Sequence, residues 1–214
     1  MTTPEPGLRD STDFLERGAA GLGRTLAVHL GAGRLRVRAP VRALVDRLHG
    51  ALERGAAFAQ RYGQAQGGAP ITVYADYDSL LANGEIDAVS VALPNFLHHP
   101  ATMAALAAGK HVLCEKPPAL NHQQARDMAE AAASSGKLLA FALQRRFSPA
   151  VEALHELITA GELGEVYHAR AVWTRAWGVP KGIGGWFTDP ARAGGGALID
   201  IGVHLLDMGG FLLG

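Results

Sequence analysis

The amino-acid sequence predicts an α/β fold, a parallel sheet with helices on both faces, followed by a second region of different rhythm. Three observations carry this. The runs Asp87–Leu93, His111–Glu115 and Lys137–Leu143 have the near-continuous apolar character of strands buried on both faces. Helix-like segments separate them, with short connections, as in parallel strands joined by crossovers. After Leu143 the pattern turns more polar and more alternating. A domain boundary is therefore placed near Gln144, dividing the chain into 1–143 and 144–214.

The elements follow in order. Leu26–Leu30 runs into Gly31-Ala32-Gly33, a candidate strand entering a glycine turn. A dinucleotide fingerprint wants a third glycine three residues after the second, but Arg36 stands there. Gly31 and Gly33 are candidate phosphate contacts, and an ordinary loop is the alternative. Val41–Asp46 is the one candidate for the strand whose terminal acid would hold a ribose, yet it lies too close to leave room for a helix in between. Ile71–Tyr74 is a short β-rich run. Asp78 is expected to cap a brief helix through Leu81, ended by Gly84. Pro94-Asn95 stops the strand Asp87–Leu93, and His99–Ala108 reads as a helix with Gly109 just past its end. Pro117-Pro118 stops the next strand. Asn121 with Gln124 forms a capping-box pair opening a helix to Ser135, closed by Gly136. Ser148-Pro149 starts a helix ending near Gly161. Glu165–Arg175 reads as a long strand, Trp177–Gly196 as a Gly- and Trp-rich loop. Ala197–Leu213 reads as an apolar helix interrupted by Gly202, Gly209 and Gly210.

Composition excludes several classes. Lys plus Arg is 20 and Asp plus Glu is 20, a net charge of zero, so no polyanion-binding surface is expected and no nucleic-acid partner. The longest apolar runs, such as Leu138–Leu143, fall far short of the ~20 residues that span a bilayer, so no membrane association is expected. No basic-then-apolar leader is visible in MTTPEPGLRD, and the single cysteine, Cys114, excludes an internal disulfide; a cytoplasmic location is the simplest expectation. Arginines crowd the first 61 residues while no lysine precedes Lys110.

Parallel α/β sheets bind ligands at their C-terminal strand edge, where Pro94, Asn95, Glu115 and Lys116 fall. The segment SVALPNFLHHPATMAALAAGKHVLCEKPPALN, from Ser90 to Asn121, resembles the signature of the glucose–fructose oxidoreductase / inositol dehydrogenase (Gfo/Idh/MocA) family. The matching positions are Pro94, Asn95, His98, Glu115, Lys116 and Pro117. GGGALIDIGVHLLD, from Gly194 to Asp207, is similar to the family's Asp-x-x-x-His helix, and QRRFSP, GELGEV and WFTDP are intermediate matches. The resemblance runs from Glu53 to Gly214. It implies a Rossmann-like first domain that binds NAD or NADP, and an incomplete α+β second domain. Asp46 would favour NAD, whereas Arg47 would suit a 2′-phosphate.

The residues give the resemblance a chemical content. A lysine at Lys116 can hydrogen-bond a substrate hydroxyl and stabilise charge as its proton leaves; a salt bridge with Glu115 or a solvated lysine is the plain alternative. Asp200 and His204 are spaced i, i+4 and share a helix face, so they can serve as orienter and general base. A surface pair, a buried structural histidine, and a metal site with Asp207 are the alternatives, the last without a supporting Cys/His cluster. By analogy Asn95 contacts the nicotinamide ribose or merely caps the next helix, and His98 does the same or packs locally. Cys114 reads as core. The family often has a cis peptide before the proline of its Glu-Lys-Pro.

The resemblance implies oxidation of a CH–OH group of a sugar or cyclitol. His204 would take the hydroxyl proton, Lys116 and Asp200 would orient the oxygen, and hydride would pass to NAD(P)+. An NAD-dependent glycoside hydrolase of the same family, and a truncated non-catalytic nucleotide binder, are the competing readings. Family members are much longer, with a large antiparallel sheet that commonly forms a homo-oligomer interface. The chain reads as lacking most of that sheet, so oligomerisation is expected of full-length members and not carried over here. With the degraded glycine fingerprint, this suggests a partial gene product or a misread frame near the start.

Overall fold

A computed structural model of the chain describes residues 26–27, 43–45, 55–57, 59–61, 71–174 and 185–214. Gly31, Gly33 and Asp46 lie outside these residues. The first strands are β1 (Leu26–Ala27), β2 (Ala43–Val45) and β3 (Thr72–Tyr74). Helix α1 (Tyr77–Leu81) leads to β4 (Ala88–Val91), and a 3-10 turn (Asn95–Leu97) enters α2 (His98–Ala107). Then come β5 (His111–Cys114), α3 (His122–Ser135) and β6 (Leu139–Phe141).

Among the described residues every strand pairing is parallel. One sheet has the order β1-β4-β5-β6 and the other pairs β2 with β3. The two sheets meet where β2 lies beside β1, so the strands run 3-2-1-4-5-6 in space, the order of dinucleotide-binding folds. The strand at Ala43–Val45 forms although its spacing argued against it. The core lies between the sheet and the helices. Val89, Val91, Val112, Cys114 and Leu139 from the strands pack with Leu80, Leu106, Met128 and Ala132. Met128 and Ala132 are i, i+4 on α3 and form its buried stripe.

Local chemistry sets most boundaries, with one shift of cap. The side chain of Asp76, not Asp78, accepts the N–H of Ser79 at 2.7 Å. A cap needs extended backbone and a carboxylate three residues before its donor, and Asp76 has both. Asp78 sits in the first turn, and the helix ends at Leu81 before Gly84 is reached. Asn121 accepts from the Gln124 N–H at 3.0 Å, while Gln124 reaches back to the N–H of Leu120 rather than of Asn121. Gly109, Gly136 and Gly161 take the positive φ that follows a helix end.

The region after Phe141 differs more from expectation. A 3-10 turn (Gln144–Phe147) precedes α4 (Pro149–Thr159). Residues 165–174 form no strand, against the alternation of their sequence. An alternating segment becomes a strand only beside a partner that takes its backbone hydrogen bonds, and none of the described strands lies alongside it. The expected loop contains a short helix, α5 (Pro190–Ala193), capped by Asp189. Gly194 bends the chain at φ 86, a π-helical turn covers Leu198–Gly202, and α6 runs over Val203–Leu213. Gly209 and Gly210 lie within α6 without breaking it, since each costs a helix interior only about 1 kcal/mol. Pro190–Leu213 spans 24 residues and is apolar enough on average to cross a membrane. It is, however, bent at Gly194–Gly196 and carries Asp200, whose carboxylate is paired.

This last segment docks on the C-terminal edge of the sheet. The Asn95 amide donates to the Ala193 carbonyl at 2.8 Å, and Lys116 pairs with Asp200. Between these contacts Gly194 is pressed so closely that a Cβ there would stand 2.9 Å from Leu120 Cα. Gly194→Ala would meet both a backbone clash and a left-handed φ. It is expected to destabilise the protein by about 1–3 kcal/mol in denaturant unfolding, whereas Gly84→Ala, with open space around it, is expected to be nearly neutral. Equal effects of the two would contradict the close seating. The Cys114 thiol is fully buried and pushed up to about 12 by that burial. Its labelling by a thiol reagent should therefore wait on unfolding, and prompt labelling of the folded protein would show the strand to be open.

Candidate active site

Register brings the candidate residues together. Val91, Cys114 and Phe141 are aligned across β4, β5 and β6. The chain leaving each strand, through Pro94-Asn95, Glu115-Lys116 and Gln144-Arg145, therefore emerges on one edge. The apolar runs that make these strands and the residues that end them thus place the polar side chains.

Lys116 lies at the end of β5. Its Nζ donates to Asp200 Oδ1 at 2.6 Å and to the Asp200 carbonyl at 3.1 Å. Glu115 turns back, its carboxylate accepting the Lys116 N–H at 3.1 Å, and makes no salt bridge with the Lys116 ammonium. Asp200 sits inside the π-helical turn and His204 near the start of α6. The i, i+4 spacing thus crosses a change of helix type. Such turns often re-aim side chains at functional sites.

His204 is buried, and its Nδ1 has no hydrogen-bond partner among the described residues. Its ring stacks on Trp173 with centroids 6.4 Å apart, and the Arg145 guanidinium covers the Trp173 ring at 4.7 Å. Burial, and then the cations Lys116 and Arg145, hold the imidazole below its usual pKa, against the pull of Asp207 and Asp200. The ring is therefore neutral at physiological pH and can accept a proton. Asp207 is engaged by Arg146, whose Nε lies 3.0 Å from its Oδ2, so that carboxylate is already neutralised by a cation. Among the described residues no three His, Cys, Asp or Glu side chains are grouped to hold a metal ion.

The remaining candidates make contacts within the protein, and His98 takes the local packing that was one of its two readings. Pro94 is buried and caps the 3-10 turn. Asn95 caps no helix; its amide holds Ala193. His98 is 1% exposed and both ring nitrogens face backbone carbonyls. Arg145 and Trp173 were not singled out from sequence. Arg145 had a signal, since it follows the third apolar strand within QRRFSP; Trp173 had none, because its link to His204 is purely tertiary.

The residues present fit a nicotinamide cofactor on this edge. The strand order is that of dinucleotide-binding sheets. A lysine and a neutral histidine lie beside the strand ends.

Comparison with known proteins agrees. Residues 17–143 match the model of the Gfo/Idh/MocA oxidoreductase family with its NAD-binding Rossmann fold, and residues 151–214 match a C-terminal domain model of that family. D-glucoside 3-dehydrogenase of Escherichia coli is 42% identical over 165 residues, 76% of this chain and 44% of that protein. The 1,5-anhydro-D-fructose reductase of Ensifer adhaerens is 36% identical over 177 residues, 83% of this chain and 51% of the reductase. The solved structure of levoglucosan dehydrogenase in complex with NADH and levoglucosan superimposes with a TM-score of 0.65 at 27% identity, covering 81% of this chain and 43% of that one. The chain thus spans about half the length of these relatives, or less. The strand order, the residues gathered on its edge and both family models lead to one conclusion: this chain belongs to the Gfo/Idh/MocA family of oxidoreductases, with an NAD-binding Rossmann fold.

Proposed function

We propose that the protein oxidises a CH–OH group of a sugar or cyclitol, with residues 1–143 holding the nucleotide and 144–214 beginning the substrate side. The observation that carries this reading is the 2.6 Å contact of Lys116 with Asp200, next to the neutral His204. The bound NAD or NADP supplies the hydride acceptor.

In this reading Lys116 Nζ donates to the substrate hydroxyl oxygen and stabilises the negative charge that grows there. Asp200 fixes the direction of the ammonium, so the oxygen is met by an oriented donor. His204 accepts the hydroxyl proton on its imidazole, which stands ready because burial and the neighbouring cations keep it unprotonated. Arg145 contributes to that readiness across Trp173. Pro94, Asn95, Glu115 and His98 support the cofactor side by shaping the edge. A sugar ring suits this reading because the E. coli relative is named as a glucoside dehydrogenase. A reducing, cytoplasmic setting suits the single buried thiol.

Two experiments test the assignment. Lys116→Ala and His204→Ala are each expected to lower NAD(P)H formation from a sugar or cyclitol by at least about a hundredfold; the unfolding transition should change little in His204→Ala and move down in Lys116→Ala, which leaves Asp200 unpaired. Near-parent turnover in either variant, or failure of the parent to bind NAD and NADP, would overturn it. The pH profile supplies the second. His204 titrates below its usual 6.5, so activity should fall only as pH drops through that lowered value. Arg145→Gln removes a cation that holds the pKa down, so the acid limb should move to higher pH. No movement would show that Arg145 does not act on His204.

A further inference from the structure

His98 is buried, and its ring is gripped from both sides. Nδ1 lies 2.7 Å from the Pro117 carbonyl and Nε2 2.7 Å from the Leu93 carbonyl. Leu93 belongs to the connection leaving β4, which carries Asn95. Pro117 belongs to the connection leaving β5, which carries Lys116. The side chain starts on α2 and thus reaches both connections from beneath the candidate site. With 1% of its surface exposed, it has no face left for a nucleotide or substrate.

We infer that His98 is a positioning residue, setting the spacing between the connection that bears Asn95 and the connection that bears Lys116. The inference deepens the proposed function and rests on its placement of the cofactor on this edge. Both partners are acceptors, so each bond needs an N–H from the ring. A neutral imidazole supplies one at a time, an imidazolium both. Burial, helped by the ammonium of Lys116, opposes the second proton; the two carbonyls and the Glu115 carboxylate favour it. Burial prevails and holds the ring below its usual pKa, so the neutral ring donates to one carbonyl at a time and the strap between the two connections is made by its two tautomers in turn. A buried carbonyl that loses its donor is left unsatisfied away from water, so each connection has reason to stay on the ring.

The inference is tested with variants that each keep one side of the strap. The amide nitrogen of Asn falls near the position of Nδ1, and that of Gln near Nε2. His98→Asn should keep the bond to Pro117, His98→Gln the bond to Leu93, and His98→Leu neither. Amide NMR shifts of the full chain should show Lys116 and its neighbours near their parent positions in His98→Asn and displaced in His98→Gln. Asn95 and its neighbours should show the opposite. NADH affinity should fall about ten- to hundredfold in His98→Leu and less in the two amide variants. If Leu restores the shifts as well as Asn and Gln do, His98 is only a filler of space and the inference fails. If His98→Leu does not fold, the opposed Asn and Gln patterns still decide. Should the parent bind no NADH, the proposed function fails, and the NMR patterns judge the strap alone.

Discussion

The site is organised around the ion pair of Lys116 with Asp200, 84 residues apart in sequence. Both side chains are mostly enclosed, at 23% and 20% exposure. Removing one partner would leave the other charge partly desolvated and unpaired, which costs far more than the pair itself contributes. The contact therefore constrains the placement of the C-terminal segment more than it adds stability. Lys116 is delivered by the end of β5, and Asp200 by a π-helical turn that the bend at Gly194 brings onto the sheet edge. Asn95 on Ala193 and Gly194 against Leu120 keep the same segment from sliding.

The electrostatics of His204 follow from this placement. Where the ammonium of Lys116 and the guanidinium of Arg145 approach, a buried imidazole is more stable neutral. The same cation that would stabilise a developing alkoxide also keeps the neighbouring base unprotonated. Removal of a hydroxyl proton requires a base that is free to accept it and a donor that stabilises the charge left on oxygen. The arrangement stands where a parallel sheet offers its edge to a ligand, and it joins residues from both matched family regions.

Much of this was legible in the sequence, for identifiable reasons. The strands β4, β5 and β6 were visible because burial on both faces leaves an apolar run with Pro or Gly at its end. Lys116, Asp200 and His204 were visible as motif positions. What was not legible depends on contacts distant in sequence. Asn95 was read as a ribose contact or a helix cap and His98 as a ribose contact or a locally packed residue; the first holds Ala193, which no motif announced, and the second packs against Leu93 and Pro117. Alternation in residues 165–174 indicated a strand, but a strand exists only with a neighbour to pair with. The spacing of Asp200 and His204 implied one regular helix face, and no residue pattern announced the π-helical turn between them.

A double-mutant cycle on Lys116 and Asp200 measures whether this ion pair ties the C-terminal segment to the sheet edge. Lys116→Met, Asp200→Asn and the double variant would be compared by denaturant unfolding of the full chain. If the pair joins the C-terminal segment to the sheet edge, the two changes will be coupled by about 1 kcal/mol or more, the double variant losing much less than the sum of the singles. Effects that add within about 0.3–0.5 kcal/mol would show that the two side chains do not hold the segment together, because residues that do not touch show that independence.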